Sequence, residues 1–257
     1  MSVLLYGIVF AALRPGYPPP PISVPGVGNA PVRLIEANGL GAVVSTVDSP
    51  ALTPTVERAL AHARVIERLH ADRTVLPVRY GSVLGSESDV VELLRAHGET
   101  YAGMLQGLIG CVEMGVRILT SERGAASTHD CSVRRAECRA DDCPPVAGTV
   151  YLNRRKAFYA EQERCLREAA ASAQRLRAAL AGLFLKCEAE PSTTVVFRSI
   201  SAGPLVGVHF LVKRNMLASF RMAFRRMERA ERARLLLSGP WPPYNFAMPD
   251  RRNAWPR

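Results

Sequence analysis

Four residues in one short stretch, His129, Cys131, Cys138 and Cys143, are of the types that hold zinc. They are separated by one, six and four residues, with no C-x-x-C pair among them. Such a pair is what normally brings two thiolates to one ion. The stretch therefore reads as an exposed cysteine-bearing insertion, and no metal is assigned. The five histidines, at 62, 70, 97, 129 and 209, are scattered. His62 and His70 lie two helical turns apart, about 12 Å at ~1.5 Å per residue, too far to share an ion. They read as packing or surface histidines. Cys111, Cys165 and Cys187 sit in apolar or helical contexts and read as small hydrophobes. No paired carboxylates stand out beyond Asp141-Asp142, in a loop-like stretch, and Glu67, Glu87 and Glu113 read as buried counter-ions to Arg79 or Arg117. Phosphate-loop, dinucleotide, nucleophile-elbow and zinc-protease signatures are all missing. No set combines nucleophile, base and orienter, so no catalytic residue and no cofactor is assigned.

The chemistry that does stand out is charge. The chain of 257 residues carries 33 Lys+Arg against 23 Asp+Glu, net +10, and only Lys156, Lys186 and Lys213 are lysines. Residues 1–120 hold nine Arg and ten acids, whereas residues 121–257 hold 24 basic and 13 acidic side chains. An excess confined to one half points to an acidic partner or to a solvated basic face. Aromatic residues do not cluster with the arginines, as a base-stacking platform would require. At 48% hydrophobic and 22% charged, the composition is globular and excludes a wholly disordered chain. The apolar opening run Val3–Leu13 is too short to span a bilayer and lacks a basic leader, so the expected location is cytoplasmic, with free thiols.

The elements that must position these residues follow from pattern. Val3–Phe10 reads as a buried strand in which Gly7 marks a bulge or a close neighbouring backbone. The proline-rich stretch Arg14–Pro21 reads as a surface loop. Val32–Glu36 and Leu40–Val47, joined by Asn38-Gly39, read as a two-residue hairpin. A helix capped by Thr53 is expected from Pro54 to about Ala71, with Val56, Leu60, Ala63, Val65, Ile66 and Leu69 inward. Arg73–Tyr80 reads as a short irregular strand, and Ser86 with Asp89 as the start of a helix reaching Leu108. Cys111–Leu119 alternates, with Val112, Met114, Val116 and Ile118 on one face.

A long helix is expected from Tyr151 to about Lys186. Leu166, Ala169, Ala173, Leu176, Leu180, Leu183 and Cys187 form a heptad seam, paired with the protein's own sheet or with a second chain. Strands follow at Thr193–Ile200 and Leu205–Val212, either side of a Gly203-Pro204 turn. Next come a basic helix at Lys213–Arg232 and a last strand at Arg234–Leu237. Met216, Leu217, Phe220, Ala223, Phe224 and Met227 share one face of this helix, and Arg221, Arg225, Arg226, Arg229 and Arg232 line much of the rest. This order is α+β. It implies two domains, the second with a modified ferredoxin-like order and the heptad-patterned helix. The expected divisions are 1–120, an insertion or linker at 121–149, a ferredoxin-like domain at 150–238, and a Pro/aromatic tail at 239–257.

Five strings then occur in a fixed order. They are Leu5-Tyr6-Gly7-Ile8; Leu76-Pro77-Val78-Arg79-Tyr80-Gly81-Ser82-Val83; Gly110-Cys111-Val112-Glu113-Met114-Gly115-Val116; Tyr151-Leu152; and Ser238-Gly239-Pro240-Trp241-Pro242-Pro243-Tyr244-Asn245-Phe246. Together they resemble the gas vesicle protein F/L family over nearly the whole chain, departing mainly at the proline-rich loop and the cysteine-bearing insertion. The strings do not separate F from L.

The resemblance implies a non-enzymatic accessory protein of the gas vesicle, a hollow protein shell that gives buoyancy. It further implies two α+β domains, a role in nucleating or assembling the shell, and binding to the small major shell protein and other accessory proteins. Neither a nucleic-acid nor a membrane partner is expected. Within that frame Arg221, Arg225 and Arg229 are expected to meet acidic side chains of the shell protein. Trp241 and Tyr244 read either as an aromatic anchor for the partner or as a segment folded back on its own sheet. The rival readings are a nucleic-acid-binding protein using the basic half, and a small-molecule enzyme on the ferredoxin-like domain.

Overall fold

In a computed structural model the described residues are 2–11, 23–48, 52–119, 148–189 and 205–247. The Arg14–Pro21 loop, the His129/Cys131/Cys138/Cys143 set with Asp141-Asp142, and the Thr193–Ile200 strand and its turn lie outside them.

Strand β1 (Ser2–Phe10) is the axis of the first sheet. It pairs antiparallel with β3 (Leu40–Val47), which pairs with β2 (Arg33–Ala37). On its other side β1 pairs with the two-residue strands β4 (Leu76–Pro77) and β5 (Val83–Leu84). The β2–β3 hairpin turns through Asn38 and Gly39, both at positive φ (51° and 74°), the conformation that favours an Asn-Gly turn. Gly7 meets both parts of its expectation. The β1–β3 register shifts between Leu5 and Gly7, and a Cβ at Gly7 would stand 2.8 Å from Val75 Cγ2 and 3.0 Å from the Leu76 carbonyl. The bulge reverses the parity of the strand. Val3 and Leu5 share one core with Ile8, while Leu4 and Tyr6 share the other with Val9.

A helix covers each face of this sheet. α2 (Glu87–Leu108), capped by Ser86 Oγ accepting from the Asp89 N–H, packs Val90, Leu94, Tyr101 and Leu105 on one side. α1 (Val56–Asp72) packs Val65, Ile66 and Leu69 on the other. Its cap is Thr55, which accepts from the Arg58 N–H, and not Thr53. The inward stripe is also rotated from the expected one: Val56 is 78% and Leu60 51% exposed, and His62 takes the place expected of an aliphatic residue. The expected strand at Arg73–Tyr80 shrinks to Leu76–Pro77.

The second sheet has the order β7-β8-β6-β9, all antiparallel. Its strands are β6 (Cys111–Leu119), β7 (Lys186–Ala189), β8 (Leu205–Lys213) and β9 (Arg234–Trp241). With α3 (Gly148–Ala179) after β6 and α4 (Leu217–Ala230) after β8, the chain order is β-α-β-β-α-β, the ferredoxin-like arrangement. Val112, Met114, Val116 and Ile118 all face the core beneath α3 and α4, as their alternation requires. Phe210 centres that core, edge-on to Phe184 and Phe220 with centroids 5.1 and 5.5 Å away.

Several expectations are corrected here. β6 is a central strand of the second sheet and supplies the first strand of the ferredoxin-like order, so a division at 120 cuts that sheet apart. A strand's alternation specifies which face is buried but not which strands lie beside it. Helix α3 ends at Ala179, not near Lys186, and Lys186–Ala189 is a strand. The last strand runs on to Trp241, so the segment from 239 does not begin as a tail. On α3 Cys165, Ala169, Ser172 and Leu176 are buried, and Ala169 and Leu176, with Leu180 just past the helix end, pack in the core formed with the chain's own sheet and α4. Leu152, Phe158 and Tyr159 remain exposed.

The two sheets share a core. Cys111, Leu211 and Ala247, on the face of the second sheet away from α3 and α4, pack with the α2 side of the first sheet.

Candidate functional site

The candidate site is a surface built on α4, β9 and the residues that follow β9. On α4 the 3.6-residue period turns Phe220 and Phe224 inward and leaves Arg221, Arg225, Arg226 and Arg229 in solvent. None of these four has an ion-pair partner among the described residues. The nearby carboxylate of Glu231 is already engaged. Arg175 Nη2 and Nε donate to it at 2.7 and 2.9 Å, Ser172 Oγ donates at 3.2 Å, and the Arg175 contact holds its pKa below the usual carboxylate value. Arg221 reaches sideways, Nη2 donating to the Gly239 carbonyl at 3.5 Å. That contact joins the arginine row to β9, an edge strand on which Leu236 and Trp241 are each 43% exposed.

Gly239 shapes this edge. The β6–β9 register shifts between Glu113↔Trp241 and Gly115↔Ser238, and Gly239 takes φ 106° in the extra residue. A Cβ there would stand 2.7 Å from the Glu113 carbonyl. The bulge thus brings the backbone close to β6 while Trp241 stays at the rim.

Beyond Trp241 the chain folds back. Pro242 and Pro243 are buried, Tyr244–Phe246 is one 3-10 turn, and Ala247 is in the core. A polar cluster beneath holds the turn. The Asn245 N–H donates to Glu113 Oε2 at 2.9 Å and its Nδ2 to Glu113 Oε1 at 2.6 Å. His209 Nδ1, on the neighbouring strand, stands 2.9 Å from the same Oε1. Glu113 is 3% and His209 9% exposed. Tyr244 lies over this cluster, its hydroxyl pKa pushed up to about 12 by burial and then by the carboxylates of Glu67 and Glu113.

Residues 242–247 fold back, and Trp241 projects. The structure brings Arg221 to β9 and Tyr244 to Glu113, while Arg225 and Arg229 continue the exposed row away from them. Glu113 is not a counter-ion to Arg79 or Arg117: its neighbours are His209 and Asn245. Glu87 pairs with Arg33 at the surface. The sequence signal for the cluster is a Glu inside a strand otherwise buried on both faces, an expense that requires hydrogen-bonding partners. With both carboxylate oxygens filled from Asn245 and His209, Glu113 serves as a latch.

Among the described residues no group of three metal-ligating side chains occurs, and no helix is long and apolar enough to cross a membrane.

Among the described residues these features define an α+β protein of two antiparallel sheets, with an exposed basic row on α4 and Trp241 exposed at the rim of β9. A family model described as gas vesicle synthesis protein GvpL/GvpF matches residues 2–248. Gas vesicle protein F of Streptomyces sp. (strain CB03234) is 29% identical over 252 residues, covering 96% of this chain and 99% of that protein. Gas vesicle protein L1 of Halobacterium salinarum is 25% identical over 248 residues, covering 89% and 85%. Among solved structures, the gas vesicle protein GvpF from Anabaena sp. PCC7120 superposes with a TM-score of 0.68 at 17% identity, covering 97% of each chain. GvpF from Microcystis aeruginosa gives 0.67, also at 17% identity, covering 96% of this chain and 99% of that one. The chain belongs to the GvpL/GvpF family of gas vesicle synthesis proteins. Its process is therefore gas vesicle formation.

Proposed function

We propose that this protein helps nucleate or assemble the gas vesicle shell by binding the small major shell protein and other accessory proteins. It acts through the surfaces it presents and not through a reaction, and it works in the cytoplasm and on the growing vesicle. The observation that carries this reading is the α4–β9 surface. Arg221, Arg225 and Arg229 are exposed with no ion-pair partner among the described residues, and the strand tied to them by Arg221 exposes Trp241 at its end.

The physics of a shell explains the need. A subunit whose assembled wall excludes liquid water carries a large apolar face, and such a face aggregates when left bare. A partner that covers it reversibly holds the subunit ready to add to a growing edge. Aromatic and arginine side chains are the residues enriched where such interfaces take their energy. Unpaired charges around them speed encounter with an acidic partner and fix orientation.

Two measurements test the reading. Removal of the gene from a reconstituted vesicle operon should reduce vesicle number or distort their shape. The purified chain should capture purified shell protein in a mixing assay. Normal vesicles without the gene, together with no capture, would overturn it.

A further inference from the structure

The end of α1, the residues leading into β4, the start of β6 and the turn after β8 enclose a cleft of about 280 Å³. It lies where the two sheets meet, on a different part of the molecule from the arginine row. His70, Arg73, Thr74 and Arg214 line it, and Lys213 pairs in register with Cys111 at its edge. Asp72 also lines it, but its carboxylate is taken by Arg68 at 2.6 Å. Arg214 has no carboxylate partner among the described residues, and Arg73 feels the charge of Asp72 without forming an ion pair with it.

Arg214 ties the two sheets together. Its Nη2 donates to the His70 carbonyl at 2.6 Å and its backbone N–H to the Gly110 carbonyl at 2.8 Å. The Leu69 carbonyl is likewise taken by the Arg73 N–H at 2.9 Å. The side-chain donors are a different matter. Both ring nitrogens of His70 and the Nε of Arg73 are buried with no hydrogen-bond partner. Buried polar atoms are normally paired, so three orphans beside the guanidinium groups of Arg73 and Arg214 mark a place that lacks hydrogen-bonding partners.

We propose that this cleft binds inorganic phosphate, gripped by the guanidinium groups of Arg73 and Arg214, with His70 and Thr74 completing the hydrogen bonds. The imidazole selects phosphate over other anions. Burial and the neighbouring Arg214 push the His70 pKa down to about 4, so the ring is neutral at pH 7 and offers one donor and one acceptor. Inorganic phosphate at neutral pH keeps at least one P–OH alongside its acceptor oxygens, and that P–OH can donate to the bare nitrogen of the ring. Sulfate, of the same shape, only accepts. Because the site spans the Arg214 link, an occupant would bridge the first and second sheets.

The test is titration of the full chain with sodium phosphate and sodium sulfate at constant ionic strength, followed by calorimetry and by ³¹P line broadening. Saturable phosphate binding at least tenfold tighter than sulfate is expected. Arg73→Gln and Arg214→Gln should each weaken it at least tenfold, whereas Arg95→Gln, on the exposed side of α2, should not change it. Arg214→Gln also removes the bond to His70, so Arg73→Gln, with an unaltered circular dichroism spectrum, is the deciding variant. Thr74→Val provides a second reading of the same site. Absence of saturation, equal response to sulfate, or undiminished affinity in Arg73→Gln would each overturn the proposal.

Discussion

Glu113 and Asn245 are joined twice, backbone N–H to Oε2 at 2.9 Å and Nδ2 to Oε1 at 2.6 Å, across 132 residues of chain. The pair closes the fold-back segment onto the sheet, and His209 shares the same carboxylate. Asn245→Ala should cost about 1–3 kcal/mol, the penalty for stripping donors from a buried carboxylate. Chemical denaturation measures that loss. Limited proteolysis should show new cleavage around 242–247 while the rest of the chain stays resistant.

Two buried histidines set an acid limit. Burial pushes the pKa of His62 down to about 4, partly opposed by the Leu5 carbonyl 3.3 Å from Nε2, and His70 is also pushed to about 4. In the unfolded chain each ring titrates near ~6.5. The unfolded state therefore takes up protons first as pH falls, and stability present above about pH 6.5 is lost progressively down to about pH 4. After allowance for partial solvent access, the two rings together account for about 2–5 kcal/mol. His62→Phe keeps the stacking on Tyr6, whose ring centroid is 5.0 Å away, and should flatten the denaturation midpoint against pH by about half. A midpoint equal at pH 7 and pH 4.5 in the parent protein would contradict this account.

Two glycines should respond to alanine with opposite sign. Gly239 has φ 106° and a blocked Cβ position, so Gly239→Ala should destabilise by about 2–4 kcal/mol. Gly103 is exposed within α2 with nothing within 4 Å of its Cβ position, so Gly103→Ala should stabilise by about 0.5–1 kcal/mol. Thermal melts of the two variants check both signs.

Charge reversal tests the arginine row. Arg221→Glu, Arg225→Glu and Arg229→Glu combined should weaken capture of the shell protein at least tenfold and leave the melting temperature within a few degrees, since all three are solvent-exposed. Trp241→Ala should weaken capture further through loss of an anchor. Capture that survives both changes would assign the charge to solvation alone.

Much of the fold was legible in the residues because it is local. Asn38-Gly39 announces the hairpin, Ser86 with Asp89 the start of α2, and the alternation from Val112 to Ile118 a half-buried strand. The arginine row could be read from the period of α4 alone. The α1 stripe was misread because Val56 and Leu60 are apolar yet stand in the exposed first turns of the helix. The latch was missed because Glu113, His209 and Asn245 lie far apart in the chain and no spacing rule connects them.

The sequence by itself determined most of the strands and helices, where the charge lies, and, through its ordered strings, the family. Only the tertiary structure decided that β6 belongs to the second sheet, that Trp241 projects while residues 242–247 fold back, and that His70 and Arg214 share a cleft. The division has one physical cause. Backbone preference and amphipathic period act over a few residues, whereas strand neighbours and buried polar partners are chosen by packing and hydrogen-bond satisfaction across the whole chain.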